Sequence, residues 1–128
     1  MNLGEFSSNT GAGRPVISVI VPFYNERQVL PLCLDRLETV LGALGEPFEV
    51  VFVDDGSDDG GDHYLIAEGH ARPWLQLVRL SRNFGKEAAL TAGLDYATGR
   101  AVVLLDADLQ DPPECIPDML ARWRAGAD

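Results

Sequence analysis

The 128-residue chain predicts an α/β fold, a three-layer arrangement with a mostly parallel sheet built from Rossmann-like βαβ units. Three observations lead there. Short β-branched and aliphatic runs recur four times, and each is followed by a segment that reads as helix. Each run ends abruptly in turn formers and polar or charged residues. Strands joined in this way cross over right-handedly, which makes them parallel and puts helices on both sheet faces.

Residues 1–15 hold Gly, Ser, Asn and Thr without the apolar centre of a signal peptide, and are expected to form a flexible N-terminal tail. Val16-Ile17-Ser18-Val19-Ile20-Val21 is nearly continuous and β-branched, as a strand buried on both faces should be, and is expected to stop at Pro22. Leu30, Leu34, Leu37, Leu41 and Leu44 then make one helical stripe, with Pro31 tolerated only in its first turn. Residues 48–53 read as a second strand, closed by the turn-forming and cap-forming run from Asp54 to Gly61. The helix expected over 62–71 is interrupted by Gly69. Residues 75–80 alternate as a third strand, Ser81 to Gly85 form a turn, and a helix over 86–97 is ended by Gly99. The fourth strand spans 101–105. Pro112-Pro113 then opens a last helix over 114–125, with Ile116, Met119, Leu120 and Trp123 on one side.

Composition narrows the function. At 46% hydrophobic the chain can bury a single core, and a formal charge of −10 argues against binding nucleic acid or anionic lipid through a positive face. No stretch approaches the roughly 20 apolar residues that cross a bilayer, so a soluble, cytoplasmic protein is expected. Cys33 and Cys115 make neither a disulfide framework nor a zinc site and read as small buried hydrophobes.

Ligands of such sheets collect beyond the carboxyl ends of the strands. Four clusters fall there: Tyr24-Asn25-Glu26, Asp54 to Asp59, Arg82 to Lys86, and Asp106-Ala107-Asp108-Leu109-Gln110-Asp111. The last gathers three carboxylates and an amide with no basic residue. If Asp106 and Asp108 stay extended, alternation sets them on one side about 6 to 7 Å apart. Their repulsion, about 2 to 3 kcal/mol at a dielectric near 20, would become attraction around a divalent cation. Asp106, Asp108 and Gln110 are therefore candidate ligands of Mg²⁺ or Mn²⁺, against the plainer alternative of an exposed acidic turn held by Pro112 and Pro113.

Asp54 ends a buried strand, where an unpaired carboxylate is penalised, and is assigned a ligand role toward a nucleobase or ribose. Asp58 and Asp59 read as loop caps. Lys86, the one lysine of the chain, begins a helix whose dipole disfavours it; a phosphate bridging it to the helix amides balances a solvated surface position as an explanation. Arg82 is more simply an ion-pair partner. His63 and His70 read as surface residues, and Trp74 and Trp123 as packing. Neither G-x-G-x-x-G, nor a P-loop, nor a G-x-S-x-G elbow is present.

These residues, in this order, resemble the nucleotide-sugar half of a family 2 inverting glycosyltransferase of GT-A fold. Val21-Pro22-Phe23-Tyr24-Asn25-Glu26 resembles the opening motif, Val53-Asp54-Asp55-Gly56-Ser57-Asp58 the second, and Asp106-Ala107-Asp108 the D-x-D motif. Ser81-Arg82-Asn83-Phe84-Gly85-Lys86-Glu87 and Asp108-Leu109-Gln110-Asp111-Pro112-Pro113-Glu114 are similar to the subgroup of dolichol-phosphate mannose synthase and the polyprenyl-phosphate glycosyltransferases. The resemblance implies that 16–128 form the nucleotide-sugar-binding part. Pro22, Tyr24 and Glu26 would line the nucleoside pocket, with Asp54 on the base and Asp55 on the nucleotide. The cation, with Lys86 or Arg82, would stabilise the departing diphosphate, Asp106 would stand between ribose and metal, Asp108 would be the main metal ligand and catalytic residue, and Gln110 would support it. It implies a UDP- or GDP-linked sugar as donor and a polyprenyl phosphate as acceptor in glycan or cell-wall biosynthesis. Family members continue beyond the position of Asp128 into acceptor-binding strands and membrane-associated helices. By that comparison the chain corresponds to a truncated donor-binding half, expected to turn over poorly alone and to expose a sheet edge open to a second copy.

Three other readings compete. A receiver-type phosphoacceptor domain has the size, the acids and the lysine, but its acids follow the first and third strands. A phosphatase using a D-x-D nucleophile normally carries that motif after the first strand. A nucleotide-binding fragment without catalysis keeps every residue above.

Overall fold

The computed structural model describes residues 3–7, 15–110 and 112–126. Four parallel strands form the body of the sheet: β2 (Ile17–Phe23), β3 (Phe48–Asp54), β4 (Leu75–Leu80) and β5 (Ala101–Leu104). A fifth, β1 (Leu3–Ser7), pairs antiparallel with β4, Leu3 opposite Leu80 and Ser7 opposite Gln76, giving the order β1-β4-β3-β2-β5. The tail expected over 1–15 thus contains a strand, while residues 1–2 and 8–14 lie outside the described residues.

Four helices connect and cover the strands: α1 (Leu30–Gly42), α2 (Gly61–Gly69), α3 (Lys86–Tyr96) and α4 (Ile116–Arg124). Alternation along each strand divides the core in two. Ile17, Val19, Val21 and Phe23 of β2, with Val50 and Phe52 of β3, pack with Leu30, Leu34, Leu37 and Leu41 of α1, Leu65 of α2, and Ile116 and Leu120 of α4. Ile20, Val51, Val53 and Val78 point the other way, onto Ala89 and Ala92 of α3. The expected three layers are present, with α3 alone on its face among the described residues. Small residues let α3 lie close: a methyl on Gly93 would come within 2.5 Å of Ile20 Cγ2.

Several element ends shift by one to two residues, and two of the differences have a clear physical reason. β2 continues through Pro22 because its missing N–H falls on the side of β5, whose pairing with β2 stops at Ile20 opposite Leu104. On the other side, Phe23 O accepts from Asp55 N at 2.9 Å. The last helix begins as a 3₁₀ turn, Pro113–Cys115, and continues as α4 with Pro117 in its first turn, where a missing N–H costs nothing.

One polar cluster lies inside the sheet. Glu49, 1% exposed, accepts from Ser18 Oγ (2.5 Å), Gln76 Nε2 (2.7 Å), Thr98 N (2.8 Å) and Thr98 Oγ1 (3.2 Å). Ser18 Oγ in turn accepts from Gly99 N at 2.7 Å. This ties β2, β3 and β4 to the turn that feeds β5, at the ends of the strands away from the four clusters. Cys33 is buried, Cys115 is half-buried, and both are free; burial pushes the Cys33 thiol up to about 12. Among the described residues β5 is an edge strand, with Val102 and Leu104 exposed. Among the described residues no helix is long and apolar enough to cross a membrane.

Candidate functional site

The site is built from four loops, and hydrogen bonds from backbone amides to side-chain oxygens tie the first three together. The loop after β2 interlocks with the loop after β3: Asn25 N donates to Ser57 Oγ (2.8 Å), and Asp58 N donates to Asn25 Oδ1 (2.9 Å). Asn25 holds φ at 52°, a left-handed conformation that asparagine tolerates better than most residues. Asp59 accepts from Arg27 N (2.9 Å) and Gly61 N (3.1 Å), so it serves as the loop cap expected of it.

The loop after β3 is clamped to the loop after β4. Asp55, 5% exposed, accepts from Phe84 N at Oδ1 (2.8 Å) and from Gly85 N at Oδ2 (3.1 Å). Gly56 lies directly beneath, where a Cβ would fall 2.4 Å from Arg82 C and Asn83 N. The clamp fixes the start of α3 and therefore the origin of the Lys86 side chain. Arg82, expected as an ion-pair partner, stacks over Phe84 at 4.7 Å.

Beyond β5 the chain does not stay extended. Ala107 and Asp108 lie in a turn closed by Leu109 N donating to Asp106 O (3.2 Å), with Leu109 at φ 66°. Gln110 N donates to Asp108 Oδ1 at 3.2 Å. The conditional alternation of Asp106 and Asp108 is replaced by this turn, which still brings both carboxylates to one cleft. Asp111 lies outside the described residues.

That cleft, about 290 Å³, is lined by Pro22, Phe23, Tyr24 and Glu26 from the first loop, Asp55 from the second, Lys86 and Ala89 from α3, and Asp106, Ala107, Asp108 and Gln110 from the fourth. Its volume is near the lower end for small-molecule sites. Lys86 Nζ is 2.8 Å from Asp106 Oδ1. Burial, then the Asp108 and Asp59 carboxylates, hold the Glu26 carboxyl above the usual glutamate range. The lining thus carries four carboxylates and one ammonium, so a bound diphosphate would need more positive charge than the side chains supply.

Of the expected site residues only Asp54 is elsewhere. Strand parity explains this: Phe52 points toward α1, so Asp54 follows it to that face, while Val53 and Asp55 share the α3 face with Lys86. Asp54, 2% exposed, accepts from Ser57 N at 2.8 Å and borders a separate depression with Asp62 and Arg79. Burial raises its pKa, against the lowering effect of the Ser57 hydrogen bonds and with Asp62 and Asp59 adding to the rise. Asp54, expected on the base, is thus set apart from the cleft, while Asp55 lines it. Phe23, Ala89 and Ala107 are walls the sequence reading did not single out. Ala89 had a signal, lying one helical turn beyond Lys86.

Among the described residues no group of three or more His, Cys, Asp or Glu converges on one point. Asp106 and Asp108 are hard oxygen donors at the mouth of the cleft, a set that suits a cation completed by phosphate oxygens and water.

Comparison with known proteins supplies a context for this geometry. The model of glycosyl transferase family 2 matches residues 18–128. The chain is 44% identical over 109 residues to an uncharacterised glycosyltransferase of Bacillus subtilis, covering 85% of the chain and 34% of that protein. It is 41% identical over 112 residues to a prophage bactoprenol glucosyl transferase homolog of Escherichia coli, covering 88% and 37%. Among solved structures it resembles a mannosyltransferase from Pyrobaculum calidifontis in complex with GDP-Man and Mn²⁺, with a TM-score of 0.70, 36% identity, and coverage of 88% of this chain and 33% of the other. It also resembles S. aureus TarS in complex with UDP, with a TM-score of 0.64, 28% identity, and coverage of 85% and 32%. The chain spans about a third of the length of the relatives it matches.

Proposed function

The chain belongs to glycosyl transferase family 2, and from that premise we propose that its cleft holds a nucleotide sugar for transfer to an acceptor. The observation that carries the reading is the convergence of Pro22, Tyr24, Glu26, Asp55, Lys86, Asp106, Asp108 and Gln110 from four loops on one cleft. GDP-Man and UDP in the two structural relatives support a nucleotide-linked donor. The bactoprenol glucosyl transferase homolog supports a polyprenyl phosphate acceptor.

In this reading Pro22 and Tyr24 bracket the nucleoside, Glu26 and Asp55 offer it carboxylate acceptors, and Lys86 meets the diphosphate. Asp106 and Asp108 would hold Mg²⁺ or Mn²⁺, with Gln110 supporting the turn that carries Asp108. When bound, the cation supplies charge neutralisation for the departing diphosphate. The acceptor phosphate oxygen attacks the anomeric carbon in line as the bond to the diphosphate oxygen breaks, and the leaving group keeps the electron pair. This inverts the anomeric centre, and an anionic acceptor needs no strong base. Lys86 adds a charge-assisted hydrogen bond to the leaving group.

Calorimetric titration with GDP and UDP, with and without Mn²⁺, tests the reading. Binding of one nucleotide that requires Mn²⁺ and weakens at least about tenfold, about 1.4 kcal/mol, in Asp108→Asn is expected. Failure of the chain to bind either nucleotide sinks it.

A further inference from the structure

The Lys86–Asp106 pair is the observation that the proposed function leaves unexplained. Asp106 is one of the four carboxylates lining the cleft, yet its Oδ1 lies 2.8 Å from the ammonium of the one lysine in the chain. The two ends of the pair are fixed differently. The Lys86 backbone is held through the Asp55 clamp on Phe84 and Gly85, and Asp106 follows Leu105, whose N donates to Ile20 O at 2.9 Å. The Lys86 side chain is 63% exposed and borders both the main cleft and a smaller depression beside Leu90 and Leu104. Its amine can therefore change partners while the backbone stays in place.

We infer that Lys86 is an internal stand-in cation, holding Asp106 until a divalent ion takes that carboxylate and a diphosphate takes the amine. The second half rests on the donor-site reading; the first does not. An ammonium and a divalent ion cannot both approach Asp106 Oδ1 closely, so they compete. A diphosphate entering beside Asp106 offers Lys86 a doubly charged partner. One residue thus opposes the metal in the empty cleft and assists the nucleotide in the filled one.

The two effects have opposite signs, which gives a sharp test. Mn²⁺ alone is titrated into the chain, with free Mn²⁺ followed by electron paramagnetic resonance, and GDP and UDP are then titrated at saturating Mn²⁺. In Lys86→Gln, Mn²⁺ affinity without nucleotide is expected to rise about two- to fivefold, the scale of an exposed ion pair, while nucleotide affinity at saturating Mn²⁺ falls. Arg82→Gln, which removes a neighbouring cation that stacks on Phe84, is expected to give no comparable gain for Mn²⁺. Unchanged or weaker Mn²⁺ binding by Lys86→Gln overturns the inference, as does an equal gain in Arg82→Gln, which would mean a general effect of charge. A nucleotide affinity that does not fall overturns the hand-over. If the unaltered chain binds Mn²⁺ but neither nucleotide, the donor-site reading fails, while the Mn²⁺ comparison still decides whether Lys86 competes for Asp106.

Discussion

A methyl group placed on Gly56 would lie 2.4 Å from the backbone nitrogen of Asn83. No rotation of a side chain relieves this, because both partners are main chain. Gly56 also holds φ at 82°, where an alanine is strained before it meets anything. Gly56→Ala is expected to destabilise the fold by about 2 to 4 kcal/mol, measured by urea unfolding. A midpoint within error of the unaltered chain would show that the two loops are not packed in this way.

The Asp55 clamp predicts a graded series. Asp55→Ala leaves the Phe84 and Gly85 amides without their acceptor and is expected to cost about 1 to 3 kcal/mol. Asp55→Asn keeps one acceptor oxygen and should fall between. Hydrogen exchange at these two amides is the direct readout: both should accelerate in the alanine variant and one in the asparagine variant.

Asp54 gives the fold a pH dependence of defined sign. Burial raises its pKa above that of the unfolded chain, so the native state binds more protons through the interval between the two values. Its contribution therefore falls as pH rises through that interval and is most favourable below it. Asp54→Asn, which keeps an oxygen for Ser57 N, is expected to melt higher than the parent at neutral pH and to lose that advantage on acidification. Thermal melts between about pH 4 and pH 7.5, on either side of ordinary carboxylate values, check it; an advantage that grows as pH falls would reverse the assignment.

Glu49 accepts four hydrogen bonds and faces no cation among them. Glu49→Gln turns one acceptor into a donor aimed at groups that themselves donate, and is expected to destabilise by about 2 to 4 kcal/mol. Because the cluster sits away from the cleft, nucleotide affinity of the folded fraction should be unchanged. A loss of affinity without loss of stability would contradict the separation.

Much of this was legible in the chain. β-branched runs and the leucine stripe of α1 report burial on two faces and on one, and the four strand-end clusters followed once the sheet was parallel. β1 was not, because Leu3-Gly4-Glu5-Phe6-Ser7 shows no alternation; its pairing depends on the open side of β4. The placement of Asp54 outside the cleft that Asp55 lines has a different cause. Adjacent residues at a strand end point to opposite faces, and composition alone does not tell which face carries the site. The parity of Phe52 and Val53 did contain the answer, but only once α3 was known to start beside the cleft. The turn at Leu109 was hidden for a related reason: a leucine at positive φ gives no local signal.

Every cationic side chain outside the cleft's Lys86 is an arginine or a histidine. Amine-selective reagents therefore find a single ε-amine, and it stands at the mouth of the cleft. The rate at which an acylating label modifies that one position is expected to change when an incoming phosphate engages the amine. Mass spectrometry of a single peptide then gives an occupancy assay that needs no sugar, no acceptor and no turnover.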